Sequence, residues 1–166
     1  MAGSNQTKRR PGSSGSAAVA DAVSSVDGQT GAVVLTDEYQ ALGLGLQTAT
    51  VDTSETTAST SFTDLATSGP AATVTTRTSA LVFIAANLSN NTDASLMSMA
   101  VSGASTVAAA DTKAIRHGGS ATIDSEAGTF FVVTGLTAGS NTFTAKYRVN
   151  AGTGTFRNRR IAVIPL

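Results

Sequence analysis

Between Asn141 and Asn150 the chain alternates without a break. Phe143, Ala145, Tyr147 and Val149 occupy one set of positions, and Thr142, Thr144, Lys146 and Arg148 the other. A period of two residues belongs to a β-strand with one face on a core and the other in water; a helix would scatter these side chains around its axis. A sheet with one apolar face cannot hide that face from water by itself, so a second layer has to cover it.

Strand-like runs recur from about residue 47 onward. Residues 70–76 place Val74 among threonines. Residues 79–88 (Ser-Ala-Leu-Val-Phe-Ile-Ala-Ala-Asn-Leu) are apolar at odd and even positions alike, which predicts a central strand covered on both faces. Residues 89–93 are all polar and predict a turn. Residues 95–102 carry Leu96, Met97, Met99 and Val101, and residues 128–136 carry Phe130, Phe131, Val132 and Val133. Thr137-Ala138-Gly139-Ser140 predicts another turn. Ala151-Gly152-Thr153-Gly154 turns the chain again, and residues 156–164 are expected to return beside 141–150 as a hairpin partner. The apolar run 161–166 should lie tucked into a sheet. Roughly seven to nine such strands indicate an all-β, antiparallel β-sandwich, with jelly-roll and immunoglobulin-like strand orders as alternatives. Aromatics make up only 5% of the chain and Trp is absent, so aliphatic residues and six Phe have to fill the core.

Chemistry is thinly represented. There is no Cys, which excludes disulfides and thiolate metal sites. His117, the one histidine, sits in Arg-His-Gly-Gly and reads as a loop residue; no G-x-S-x-G elbow marks a nucleophile. Asp124 and Glu126, two residues apart beside Gly128, read as a solvated turn rather than as a glycosidase pair. No cofactor and no enzymatic activity are expected. No apolar run approaches the ~20 residues of a membrane helix, and membrane insertion is not expected. The basic N-terminus lacks the apolar stretch of a secretory signal, so no signal peptide is expected and the chain is expected to be made in a cytoplasm.

The organisation is tripartite: residues 1–20, 21–46 and 47–166. Residues 1–20 are low in complexity and carry Lys8, Arg9 and Arg10 without an acid. They cannot bury enough surface to offset their ordering entropy and are expected to form a flexible basic arm. Three charges without neighbouring aromatics do not make a nucleic-acid site, and none is expected. Residues 21–64 carry seven acids and no base, and residues 65–166 carry eight Lys/Arg against four Asp/Glu, so the zero net charge hides a basic head, an acidic neck and a basic body. That distribution favours docking to a partner or to a second copy. In the neck, Val26-Asp27-Gly28 reads as a turn and Gly31 as a second tight place. Residues 32–35, with Val33 and Leu35, read as a short strand. Thr36 can cap a short helix presenting Tyr39 and Leu42, which Gly43 stops. About twenty residues cannot hold an independent core, so these apolar positions need another surface to pack on.

The run Ser25-Val26-Asp27-Gly28-Gln29-Thr30-Gly31-Ala32-Val33-Val34-Leu35-Thr36 resembles the S-V-N-G-x-T-G-x-V-x-L-T segment of phage tail-fibre, head-fibre and other appendage proteins. Asp27 stands where that segment usually has Asn. The stretch 135–149 with Arg159 or Arg160, Ile161, Val163 and Ile164 resembles the closing strands of jelly-roll tip domains, similar to trimeric TNF-like heads, and this favours the jelly roll. The resemblance implies a virion structural protein at the particle surface, most simply a homotrimeric capsid decoration or head-fibre protein, with a short tail fibre or minor tail protein as the alternative. It implies capsid or tail proteins as partners of the neck, and a bacterial surface glycan as a candidate for the outward face. A carbohydrate-binding adhesin module is the alternative from another class, although the chain is poor in aromatics for sugar stacking. The cluster Arg157, Arg159 and Arg160 either contacts an anionic partner or faces solvent on a terminal strand, where it would protect a sheet edge.

Overall fold

A computed structural model describes residues 45–119 and 124–166, together with the backbone of two short strands near the N-terminus. The chain divides into two units, Met1–Leu35 and Thr36–Leu166. In the first, β1 (Ser25–Val26) pairs antiparallel with β2 (Gln29–Thr30), and two residues lie between them. The expected strand at 32–35 and the helix after Thr36 lie outside the described residues. So do Lys8, Arg9, Arg10, Asp27, Gly28, Gly31, Val33, Leu35, Tyr39 and Leu42.

The second unit is a two-sheet antiparallel sandwich. Its strands are β3 (Gln47–Val51), β4 (Glu55–Thr57), β5 (Ala71–Thr76), β6 (Ser79–Asn90), β7 (Ala94–Gly103), β8 (Ile115–Gly118), β9 (Ser125–Thr134), β10 (Gly139–Val149) and β11 (Gly154–Pro165). One sheet has the order β5-β10-β7-β8. The other is β3-β11-β6-β9, with β4 also paired to β11. From β5 to β7 and from β9 to β11 the chain crosses between the sheets at each connection, and partners within a sheet come from distant parts of the sequence. This is the Greek-key winding of a jelly roll; an immunoglobulin sandwich would keep more chain neighbours paired edge to edge.

The alternation in β10 is realised as expected. Phe143, Ala145, Tyr147 and Val149 are fully buried. They face Val101, Met99, Met97 and Ser95 of β7 in register. The core between the sheets is completed by Val82, Ile84 and Leu88 of β6 and by Phe156, Ile161 and Val163 of β11. Burying each large side chain of this kind contributes about 1.5–3 kcal/mol.

Two expectations fail for related reasons. The chain turns between β10 and β11, but the two strands do not pair; β11 passes into the opposite sheet. Each strand has an inner apolar face, and the two faces meet across the core, where the rings of Tyr147 and Phe156 pack edge-on at 4.9 Å. Likewise β6 is central, but only its inner face is covered. Ala80, Val82, Ile84, Ala86 and Leu88 are buried, while Leu81, Phe83 and Ala85 point outward.

Candidate functional site

Strand pairing puts the outward residues of β6 into rows. Phe83 lies opposite Phe130 of β9 on one side and Ala162 of β11 on the other. Leu81 lies opposite Val132 and Ile164. Because Ala80, Val82 and Ile84 of β6, Val133 of β9 and Ile161 and Val163 of β11 point into the core, pleating sends these six side chains to the other face. Phe130 is 65% exposed, Val132 53% and Phe83 41%. The rings of Phe83 and Phe130 are tilted at 39° with centroids 5.7 Å apart. Beside them is a shallow depression of about 330 Å³ lined by Ala85, Gly128 and Arg160. The next row along is charged: Arg160 lies 3.9 Å from Glu126, both more than half exposed, and Arg157 pairs with Asp124. The outer face therefore has an apolar centre and a margin carrying both signs of charge.

The arginine cluster divides in a way strict alternation does not allow. Between Arg157 and Arg160 the register of β11 against β6 shifts by one residue, a β-bulge, with Asn158 in the left-handed region at φ 48°. Arg157 and Arg160 stay exposed, and Arg159 turns inward to full burial, so it cannot act at the surface. A signal for this lies in the sequence: Phe156 and Ile161 both need the core but stand five residues apart, an odd spacing that demands one slip.

Inside, Arg159 is held by the segment linking β3 to β5. Its Nη2 donates to Thr53 Oγ1 at 2.9 Å, and its Nη1 lies 3.3 Å from Glu55 Oε2. The guanidinium sits 5.4 Å from the centre of the Tyr147 ring. Glu55 accepts the Thr67 N–H on both oxygens, at 3.1 and 3.0 Å. Burial opposes ionisation of Glu55, but the Thr67 hydrogen bonds, Arg159 and Thr53 together outweigh it and hold the carboxyl below its ordinary value. Tyr147 donates from its hydroxyl to the Gly69 carbonyl at 2.7 Å, and burial pushes its phenol upward. This constellation fastens residues 53–69 to the sandwich; Arg159 Nε has no hydrogen-bond partner.

The remaining candidates do not converge. His117 is half-buried in β8, opposite Ser95 of β7. Ser95 gives its hydroxyl to the Ser89 carbonyl. Asp124 and Glu126 do not form a free turn; Glu126 lies within β9, and both face arginines of β11. Among the described residues no three His, Asp or Glu side chains gather into a metal site, and no helix is long and apolar enough to cross a membrane. Of the neck residues, Val26 takes part in the β1–β2 pairing through its backbone. Sequence reasoning did not single out Phe83, Phe130 and Val132 as a surface. Their signal is the two-faced apolarity of 79–88, which predicts cover on both faces, together with the apolar run 130–133.

No protein-family model matches the chain, and no curated protein matches its sequence. Among solved structures, the Eiger TNF of S. frugiperda is similar at 12% identity and a TM-score of 0.47, over 74% of this chain and 93% of that one. An Arthrobacter globiformis isomalto-dextranase complexed with panose aligns at 19% identity and a TM-score of 0.37, over 71% of this chain and 23% of the enzyme. The enzymatically active domain of tailspike protein 4 of bacteriophage CBA120 aligns at 15% identity and a TM-score of 0.28, over 70% of this chain and 19% of the tailspike chain. All three are too distant to bear on function.

Proposed function

We propose that this chain is a non-enzymatic structural protein of a bacteriophage particle, a capsid decoration or head-fibre protein. In this reading it assembles as a homotrimer through the outer face of the β3-β11-β6-β9 sheet, and its N-terminal segment tethers it to capsid proteins at the virion surface. The observation that carries the reading is the apolar centre of that face: Phe83, Phe130 and Val132 stand in water with nothing of this chain's sandwich to cover them. Contiguous exposed apolar surface of this kind marks an interaction site. The occupant is a second copy of the chain, because the margin is complementary to itself. Arg157 and Arg160 stand on β11, and Asp124 and Glu126 at β9, on opposite sides of β6, so around a threefold axis the bases of each copy can meet the acids of the next. The number three, and the particle, rest on the resemblance of residues 25–36 to phage appendage segments.

Sedimentation equilibrium tests the assembly. The full chain should give the mass of three copies at micromolar concentration. Phe130→Asp should give one copy with an unchanged β-sheet spectrum. A native chain that stays monomeric at ~100 μM, or a Phe130→Asp variant that stays trimeric, removes the proposed face. Mass spectrometry of purified virions from the phage that encodes the chain tests the particle role; its absence from them ends that part of the reading.

A further inference from the structure

The outer face of the other sheet takes no part in that assembly, and it holds a groove. Its construction follows from the lengths of the strands. β5 pairs with β10 only over residues 139–144. Beyond that point the edge of β10 is taken up by the segment leading to β5: Thr63 and Tyr147 exchange backbone hydrogen bonds at 2.9 Å, and Val149 N donates to Ser59 O at 2.8 Å. This segment raises Phe62 as one wall. On the other flank, the chain after β7 folds back over its own strand. Val101 and Val107 exchange backbone bonds, and the buried Ser98 hydroxyl bonds the Ala110 and Lys113 carbonyls at 3.0 and 2.8 Å while accepting from Ala110 N at 3.2 Å. Residues 108–111 form the second wall. Between the walls lies a groove of about 710 Å³, with Ala100, Lys146 and Arg148 at its floor.

The groups in the groove are polar, charged and balanced. Lys146 Nζ donates to Asp64 Oδ2 at 2.7 Å, and Asp64 Oδ1 accepts from Ser68 at 2.9 Å. Arg148 clasps Asp111 with two donors, Nε at 2.9 Å among them, and its guanidinium lies 5.5 Å from the centre of the Phe62 ring. The two carboxylates are 42% and 59% exposed. Two acids and two bases leave the groove neutral. The two bases are only 23% and 17% exposed, so each pair presents its acid to a ligand with the base partly covered beside it.

We propose that this groove binds a neutral saccharide. A sugar ring presents hydroxyls that both give and accept hydrogen bonds, and the paired Asp and Lys or Arg offer both partners side by side. Its C–H face suits the apolar surface of Phe62 and the alanine wall at 108–110, where small side chains leave width for a ring. Both walls are already tied down before any ligand arrives, so an open groove of this kind binds without the cost of ordering them. An anionic polymer would meet two exposed carboxylates and find the cations already neutralised. Lys146 holds Asp64, and Arg148 holds Asp111, below the ordinary carboxylate range. Both acids therefore stay ionised at neutrality and present acceptor oxygens to sugar hydroxyls.

Isothermal titration of the full chain with neutral trisaccharides of glucose, galactose and mannose tests this, with sialylated and sulfated trisaccharides as the anionic arm. At least one neutral sugar should bind saturably with a Kd on the order of 1 mM or tighter. Phe62→Ala and Lys146→Met should each weaken it at least tenfold. Ala109→Trp, which fills the groove without removing a contact that holds the fold, should abolish it with the thermal midpoint preserved. Phe130→Asp should bind as the native chain does, so failure of the saccharide site and failure of the assembly face are told apart. No saturable binding by any neutral sugar at 10 mM, binding confined to the anionic arm, or binding that survives Ala109→Trp would each overturn the proposal.

Discussion

Glu55→Gln should destabilise the sandwich more than Arg159→Met, although the two residues are partners in one ion pair. Arg159 is 0% exposed and Glu55 14%. Removing the carboxylate charge leaves a guanidinium with no access to water and one of its nitrogens, Nε, already without a partner. Breaking a buried pair in this way costs about 3–5 kcal/mol, since the remaining charge keeps its desolvation penalty and loses its compensation. The Gln side chain keeps an oxygen for the Thr67 N–H, so the change isolates charge from hydrogen bonding. Removing the arginine instead leaves a carboxylate at the edge of the protein, still accepting from Thr67 and Thr53. Water can reach it, and a cost of about 1–2 kcal/mol is expected. The double variant should cost less than the sum of the singles by about 2 kcal/mol, because it removes both charges together. Urea unfolding followed by circular dichroism at one fixed protein concentration measures all four corners of the cycle. Equal costs for the two singles, or an additive double variant, would refute the claim that the buried guanidinium is what makes the pair matter.

Three further outcomes follow from the same structure. The Glu55, Asp64 and Asp111 carboxyls are depressed in the folded chain. Their contribution is therefore fully present above the unfolded-state pKa and lost as pH falls through the folded-state values, so stability should hold at neutrality and decline below about pH 4; a flat urea midpoint from pH 6 to pH 3 would contradict this. Asn141 is fully buried, accepts from Ser105 N at 2.7 Å and donates to Thr76 Oγ1 at 2.8 Å and Thr137 O at 3.0 Å. Asn141→Ala should cost about 2–4 kcal/mol by leaving these groups unmatched, and a loss below ~1 kcal/mol in urea unfolding would show that water replaces them. Ser98→Ala should loosen residues 108–113, seen as faster amide exchange at Ala110 with the core strands unaffected.

Much of the sandwich was legible because burial imposes a period. Phe143 to Val149 could only be a strand with one wet face, and the continuous apolar run of residues 79–88 pointed to a strand inside a sheet, where β6 lies. Three short strands, Gln47–Val51, Glu55–Thr57 and Ile115–Gly118, were not legible. They hold few core residues, and their backbones are ordered by pairing with β11 and β7, partners that no local pattern names. The apparent hairpin at 150–153 misled for the same reason: a turn reverses the chain, but whether the next strand joins the edge or crosses the core depends on which faces have to meet.

The amino-acid sequence by itself determined the material: an antiparallel β-protein whose strands alternate apolar and polar positions around one core. That much is local, because alternation, turn residues and charge are properties of a few neighbouring side chains. The odd Phe156–Ile161 spacing calls for a slip, but only the tertiary structure decided that Arg159 is the arginine turned inward. It also decided that Phe83, Phe130 and Val132 share an uncovered face, and that Phe62, Asp64, Asp111, Lys146 and Arg148 line one groove. The exposed face and the groove join residues tens of positions apart, and only the winding of two sheets around a shared interior brings them together.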